Sequence, residues 1–179
     1  MSVYTRGGDG GVTSLADASR VSKAARRIGS CGDIDELNAV LGVLASEGLP
    51  VEAAERVRTV QNALFEVGAF VADPSGRRGL GPAVADPSWL EQWIDEMERD
   101  LEPLHSFILP VGTRAAALSH QARAVCRRAE RSTVALNDEG GAVGGVVPFL
   151  NRLSDALFVL ARWLNRRASI PDVPWRLAR

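Results

Sequence analysis

Arg123, Arg127 and Arg131 recur at i, i+4 and i+8, so an α-helix through them would carry three guanidinium groups in one row. Such a row offers planar, permanently charged forks to carboxylate or phosphate. Arg128 and Glu130 interleave with it, and Asn151 and Asp155 follow on a later segment. Oxygens of Asn and Glu suit a Mg2+ ion that keeps most of its waters and takes the rest of its shell from a nucleotide. A second candidate lies between Tyr4 and Ser14, where Gly7, Gly8, Gly10 and Gly11 are flanked by Thr5, Arg6, Thr13 and Ser14. Glycines let successive N–H groups turn inward as an anion nest, and the flanking hydroxyls and cation could complete a polyphosphate site. No Gly-Lys-Ser/Thr follows, so this is not a Walker A loop. Each feature has a plainer reading: a flexible glycine-rich terminus for the one, a solvated face knitted by i,i+4 ion pairs for the other. Asp35 is likewise open between a solvated carboxylate favoured by a helix start and the partner of an arginine across an interface. His105 and His120 stand alone and read as surface or packing residues, which leaves zinc-hydrolase and Ser-His-Asp chemistry without support. With no evident nucleophile, a catalyst built from these parts would position two reactants, one of them supplying the nucleophile.

The elements that must position these groups are helical. Apolar residues at helical spacing predict helices over 30–47 (Ile34, Leu37, Leu41, Leu44), 51–72 (Val57, Val60, Leu64, Val67) and 87–101 (Leu90, Ile94, Met97, Leu101). Two more follow over 113–136 (Leu118, Ala122, Val125, Ala129, Leu136) and 147–167 (Leu150, Leu153, Leu157, Leu160, Leu164). The last two are patterned on a second face as well: the arginine row on one, and Asn151, Asp155, Phe158 and Arg162 on the other. A Phe among polar groups implies that this face is covered, by another subunit if not by the chain itself. Asp86 is expected to cap the third helix with Pro87 at its first position, and Trp89 and Trp93 to pack. No strand pair is evident, and residues 1–29 and 73–87 read as loops. The reading is all-α: residues 1–179 as a single five-helix bundle of up-down, ferritin-like arrangement.

Composition narrows the partners. The 179 residues are 46% hydrophobic and carry a net charge of −1, which gives no general pull toward nucleic acid or an anionic membrane. All but one of the 21 basic residues are arginine, the exception being Lys23. Cys31 and Cys126 lie far apart without metal-ligand spacing, and the chain starts without an apolar signal core, so a reducing cytoplasm is the expected location.

Six ordered motifs then resemble one family along nearly the whole chain: Tyr4-Thr5-Arg6-Gly7-Gly8-Asp9, Arg20-Val21-Ser22-Lys23, Asp35-Glu36-Leu37-Asn38, Phe107-Ile108-Leu109-Pro110, Arg127-Arg128-Ala129-Glu130-Arg131 and Asn151-Arg152-Leu153-Ser154-Asp155. The family is the trimeric five-helix ATP:cob(I)alamin adenosyltransferases. The resemblance implies transfer of the 5′-deoxyadenosyl group of ATP to the cobalt of cob(I)alamin, with Mg2+, at sites between the subunits of a homotrimer. It implies that Thr5, Arg6, Gly7, Gly8, Thr13, Ser14 and Lys23 wrap the triphosphate. Arg127, Arg128, Glu130 and Arg131 would complete the nucleotide site, and Asn151 with Glu130 would serve Mg2+. Phe107 would cover the lower face of the corrin ring, keeping cobalt four-coordinate, and Asp35 and Arg123 would pair across subunits to shape the corrin pocket. A reductase and an adenosylcobalamin-dependent client enzyme are the implied partners. The chain departs from the family pattern at Val111, Cys31 and Gly10, and a side chain at 111 is expected to restrict the loop that carries Phe107. Val111 and Gly10 motivate an alternative, a non-catalytic ATP- or corrinoid-binding carrier or sensor of the same fold.

Overall fold

In a computed structural model, which describes Tyr4 and residues 6–177, five long helices form the body. They are α1 (Arg26–Ala45), α2 (Val51–Val71), α4 (Ser88–Glu98), α5 (Arg114–Leu136) and α6 (Val147–Arg167), with a one-turn helix α3 (Pro82–Ala85) in the segment expected to be loop. Two short strands, β1 (Val12–Ser14) and β2 (Arg20–Ser22), precede them.

The expected helical stripes are the buried ones. Ile34, Leu37, Leu41 and Leu44 of α1, Val57, Val60, Leu64 and Val67 of α2, and the leucines of α6 merge into one continuous core. The helices stack in the spatial order α2, α1, α5, α6, α4, so α5 and α6 are central and α2 and α4 lie at opposite flanks. Short connections make α1 with α2 and α5 with α6 antiparallel pairs, and α1 also runs antiparallel to α5; α4 runs parallel to α6, with Glu91 beside Arg152 at one end and Asp100 beside Trp163 at the other. Internal hydroxyl and thiol contacts fasten the central helices: Ser119 Oγ donates to the Leu157 carbonyl at 2.8 Å, and Ser30 meets Thr133 at 3.1 Å. The stretch Gly144–Arg167 is long and apolar enough to cross a membrane by length and composition, yet it is one of the two central elements of the bundle, and 56% of its most apolar 18 residues is buried within the fold.

Three boundaries differ from the sequence reading. α1 starts one turn early, at Arg26, because Arg27 is anchored by the carbonyls of Val71 at 2.6 Å and Gly141 at 2.9 Å. α4 begins after Pro87, with Asp86 accepting the Ser88 N–H at 3.0 Å, and stops at Glu98, leaving Leu101 outside it. Asn137 to Gly141 continue α5 as a widened turn, closed by the Asn137 side chain on the Gly144 N–H at 2.8 Å. The tryptophans pack as expected: Trp93 is buried and the Trp89 indole donates to the Ala83 carbonyl at 2.8 Å.

The β1–β2 hairpin contradicts the expectation of no strand pair. Its strands are three residues each and mostly exposed, too short and too polar to show alternation. Turn chemistry closes it: the Asp17 carboxylate accepts both the backbone N–H and the hydroxyl of Ser19, and Ala18 takes a left-handed φ of 66°. The Ala16 N–H donates to the Ala72 carbonyl at 3.0 Å, which hangs the hairpin on the end of α2.

Candidate active site

The hairpin gathers most of the glycine-rich candidate. Gly8 lies under the Lys23 side chain, so that a Cβ at position 8 would stand 3.1 Å from Nζ. Arg20 reaches back from β2 to the Gly7 carbonyl at 2.6 Å and to Ser14 Oγ at 3.3 Å. Thr13 faces Val21 in the strand register and is half-buried. Arg6 has a φ of 58° and its guanidinium stacks 5.8 Å from the Tyr4 ring. Thr5 lies outside the described residues. Arg20 was not among the expected site residues, although its motif was, because only strand pairing reveals that it crosses to Ser14.

The second cluster opens on the other flank. Arg123 and Arg127 from α5 line a groove of about 420 Å3 with Arg152, Asp155 and Phe158 from α6 and with Ile94 and Glu98 from α4. Two members of the arginine row, Arg123 and Arg127, therefore face a cavity. Arg127 and Arg131 are exposed, and Asn151, in the first turns of α6, donates from Nδ2 to Glu130 Oε1 at 3.0 Å. Arg152 is spoken for, with Glu91 at 2.9 Å and Asp155 at 3.1 Å. Arg123 is half-buried, and its Nε finds no partner among the described residues. His120, one turn earlier on α5, is 4% exposed and packs against Phe158 with ring centroids 5.9 Å apart. Burial, and then the Arg123 charge, lower the His120 pKa from its ordinary value.

Arg128 goes elsewhere. It turns toward α1, where Nε meets Asp33 at 3.2 Å and the other end of the fork meets Glu36. Those carboxylates raise its pKa further, the Glu36 hydrogen bond most of all. It staples α5 to α1 instead of joining Arg127. Arg162 also departs from its expected face: it is 5% exposed and held within the fold, while Phe158 and Asp155 of the same stripe line the groove.

Asp35 and Arg123 are not brought together within one chain. Asp35 is exposed beside a shallow groove between α1 and α2, lined by Cys31, Ile34, Asn38 and Phe65, whose ring is 71% exposed. Arg123 belongs to the α4–α6 groove on the far side of the bundle.

Phe107 lies at the end of the bundle where α5 begins, and its ring is 83% exposed. Its backbone is fixed all the same: the Trp175 N–H donates to the Phe107 carbonyl at 2.7 Å and the Leu109 N–H to the Val173 carbonyl at 2.8 Å. Val111 does not strain this loop, because the positive φ of 128° falls on Gly112. A Cβ at 112 would also overlap the Asn165 side chain. Gly10 has open space around it, and Cys31 is half-buried with its thiol pKa raised by desolvation. None of the three departures disturbs the elements that carry the candidate residues.

Comparison with known proteins agrees with this arrangement. Residues 3–164 match the family described as cobalamin adenosyltransferase. A cobalamin adenosyltransferase from Cupriavidus metallidurans is 42% identical over 99% of this chain and 95% of its own length. A corrinoid adenosyltransferase from Bacillus subtilis is 38% identical over 98% of this chain and 92% of its own. Among solved structures, a variant PduO-type ATP:corrinoid adenosyltransferase from Lactobacillus reuteri, complexed with cobalamin and ATP, superposes with a TM-score of 0.92 at 32% identity, covering 99% of this chain and 98% of that one. With a hairpin that can cradle phosphates, an arginine groove and an exposed Phe107 all on one helical bundle, the chain belongs to the cobalamin adenosyltransferase family.

Proposed function

We propose that this protein transfers the 5′-deoxyadenosyl group of ATP to the Co(I) of cob(I)alamin, giving adenosylcobalamin and triphosphate, at sites shared between subunits of a homotrimer. In this step an electron pair on Co(I) attacks C5′, a Co–C bond forms, the C5′–O bond breaks, and triphosphate leaves with the bonding pair. The substrates supply the nucleophile and the leaving group, so the protein's work is orientation and charge stabilisation. Gly7, Gly8, Ser14 and Lys23 bind the triphosphate on the hairpin, joined by Arg20. Arg127 and Arg131 meet it from the α5 side and stabilise the charge that grows as it leaves. Mg2+ fits beside them: with Nδ2 of Asn151 committed to Glu130, Asn151 Oδ1 and the Glu130 carboxylate remain as the hard donors, and nucleotide oxygens and water suit the rest of its shell. Phe107 presents an aromatic face to the corrin ring and excludes a lower ligand, which eases reduction of cobalt to Co(I). A reductase supplies that electron in a reducing cytoplasm, and an adenosylcobalamin-dependent enzyme takes the product.

One observation carries the shared-site reading. The hairpin and Asp35 belong to the α1–α2 side of the chain, while Arg123 and Arg127 open to the α4–α6 side. A second copy placed α1–α2 against α4–α6 unites them, and it covers Phe65 and Phe158 as well. The carrier reading loses its motive, since Val111 and Gly10 leave the loop and hairpin unstrained.

Subunit complementation tests this. Lys23→Ala and Arg127→Ala each remove one side of the site, and refolded mixtures of the two should regain activity at roughly a quarter of the sites expected for random cyclic trimers. Mixtures as inactive as either parent would mean that the hairpin and the arginine row of one chain serve the same site.

A further inference from the structure

α6 reaches the Phe107 segment through two buried polar side chains one turn apart. Arg162 is 5% exposed, and it donates from Nε to Asp172 at 2.8 Å and from its terminal nitrogen to the Glu102 carbonyl at 2.7 Å. Asn165 is 3% exposed; its Oδ1 accepts the Thr113 N–H at 2.9 Å and its Nδ2 donates to the Val111 carbonyl at 2.9 Å. The two side chains thus hold both ends of the segment 102–113, whose middle carries Phe107.

Core stability does not account for Arg162. Arg162 is as deeply buried as Trp163 and Leu164, and at such depth an apolar side chain would serve stability as well as a desolvated ion pair or better. What the pair achieves is placement. Asp172 fixes the chain beyond α6, and the next residues return along the Phe107 segment as an antiparallel bridge between Ile108 and Pro174. The Val173 carbonyl accepts the Leu109 N–H and the Trp175 N–H donates to the Phe107 carbonyl, so Phe107 and Leu109 are both tied by their backbone to this strap. The ring itself stays out in solvent with nothing of its own to hold it.

We infer that Arg162 and Asp172 are positioning residues for the corrinoid: their ion pair pins the C-terminal strap that sets the height of Phe107 over the ring. This rests on the reading of Phe107 as the residue of the lower corrin face. It adds a dependence that neither the glycine-rich hairpin nor the arginine groove shares, since neither touches the strap.

The test uses the full chain carrying Asp172→Ala, Asp172→Glu or Phe107→Ala. Asp172 lies outside the helices with its side chain 26% exposed, so its loss removes no helix packing, although it leaves the buried Arg162 without its carboxylate and lowers stability. Each protein is mixed anaerobically with cob(II)alamin and Mg-ATP, the visible spectrum reports the fraction of cobalt free of a lower ligand, and steady-state rates yield KM for each substrate. Asp172→Ala should lower the ligand-free fraction, raise KM for the corrinoid, and slow the reaction starting from cob(II)alamin on the order of tenfold, as small misplacements of reacting groups do. KM for ATP should stay at the wild-type value while the melting transition falls, and Asp172→Glu should restore most of the loss in both corrinoid use and melting. If Phe107→Ala changes the spectrum while Asp172→Ala leaves spectrum and corrinoid KM unchanged, the strap is overturned and the site reading stands. If Phe107→Ala itself leaves the spectrum unchanged, the lower-face reading and the strap fall together. An Asp172→Ala protein whose KM for ATP rises as much as that for the corrinoid has lost general structure, and that result also overturns a positioning role.

Discussion

In the groove between α4, α5 and α6, functional side chains are aimed by helices whose core stripes would bury with or without them; around Phe107 the aim comes from backbone hydrogen bonds to a strap some 65 residues further along the chain. The groove is rigid by construction, since Arg127 needs only α5 to keep its place. The Phe107 loop is rigid by agreement among Arg162, Asn165, Asp172 and the strap. The difference teaches where damage should travel. A lesion in the groove should be local and chemical, whereas one at the loop end should spread from residues that touch no substrate.

The largest effect expected is from Arg127→Ala or Asn151→Ala, which should nearly abolish turnover and leave thermal unfolding unchanged. Each removes a hydrogen bond to charged substrate or metal, worth at least about 1.5–3 kcal/mol, or roughly ten- to a hundredfold in rate. Near-normal kcat in either folded variant would detach the groove from the nucleotide. Phe107→Ala comes next. With its ring 83% exposed, truncation should stay within about 0.5 kcal/mol of wild-type stability, as surface changes do, while the reaction from cob(II)alamin slows. Pre-reduced cob(I)alamin should recover part of that loss, and a failure to recover any would shift the role of Phe107 from reduction to substrate orientation.

Asp35→Asn sits between the two regions, at the seam. It should raise KM for the corrinoid more than it weakens the trimer, because one pair among many contacts rarely holds an interface. Sedimentation of wild type at micromolar concentration as monomer alone would contradict the assembly and, with it, the partner of Asp35.

Two smaller effects sharpen the contrast inside α5. The His120 pKa is lowered in the fold, so the unfolded chain binds the extra proton first and stability must decline with acid. Its contribution is complete above the ordinary value of 6.5 and is lost as pH falls through the lowered one. Urea unfolding of wild type and His120→Gln across that range should show the slope only in the former. Arg128→Ala should change least: its partners Asp33 and Glu36 belong to α1, so a modest drop in melting temperature with kcat retained is expected, set against the collapse at Arg127.

Arg127 and Arg128 also mark how far the sequence could be read. Helical periodicity located all five long helices and put Arg127 opposite the Leu118–Leu136 stripe, since that face follows from the 3.6-residue period alone. Arg128, one position on, points 100° away toward α1, and no pattern within α5 says that Asp33 and Glu36 wait there. The hairpin was invisible for a related reason: its register rests on Asp17 and Ser19 turn contacts and on the end of α2, not on alternation. Arg162 shares the polar stripe of Asp155 and Phe158 by periodicity, yet is drawn inward by Asp172 just beyond α6 and by Glu102, which is far from it in the chain. What periodicity does not encode is pairing across elements, and there the six motifs carried more than the pattern did.

The central claim is adenosyl transfer itself. Anaerobic incubation of the wild-type protein with cob(I)alamin and Mg-ATP, followed by the visible spectrum and by phosphate analysis, measures it directly. The account predicts loss of cob(I)alamin, a matching gain of adenosylcobalamin, and one triphosphate released for each cobalt alkylated. Binding of both substrates with no spectral conversion and no triphosphate would contradict it and leave a carrier in its place.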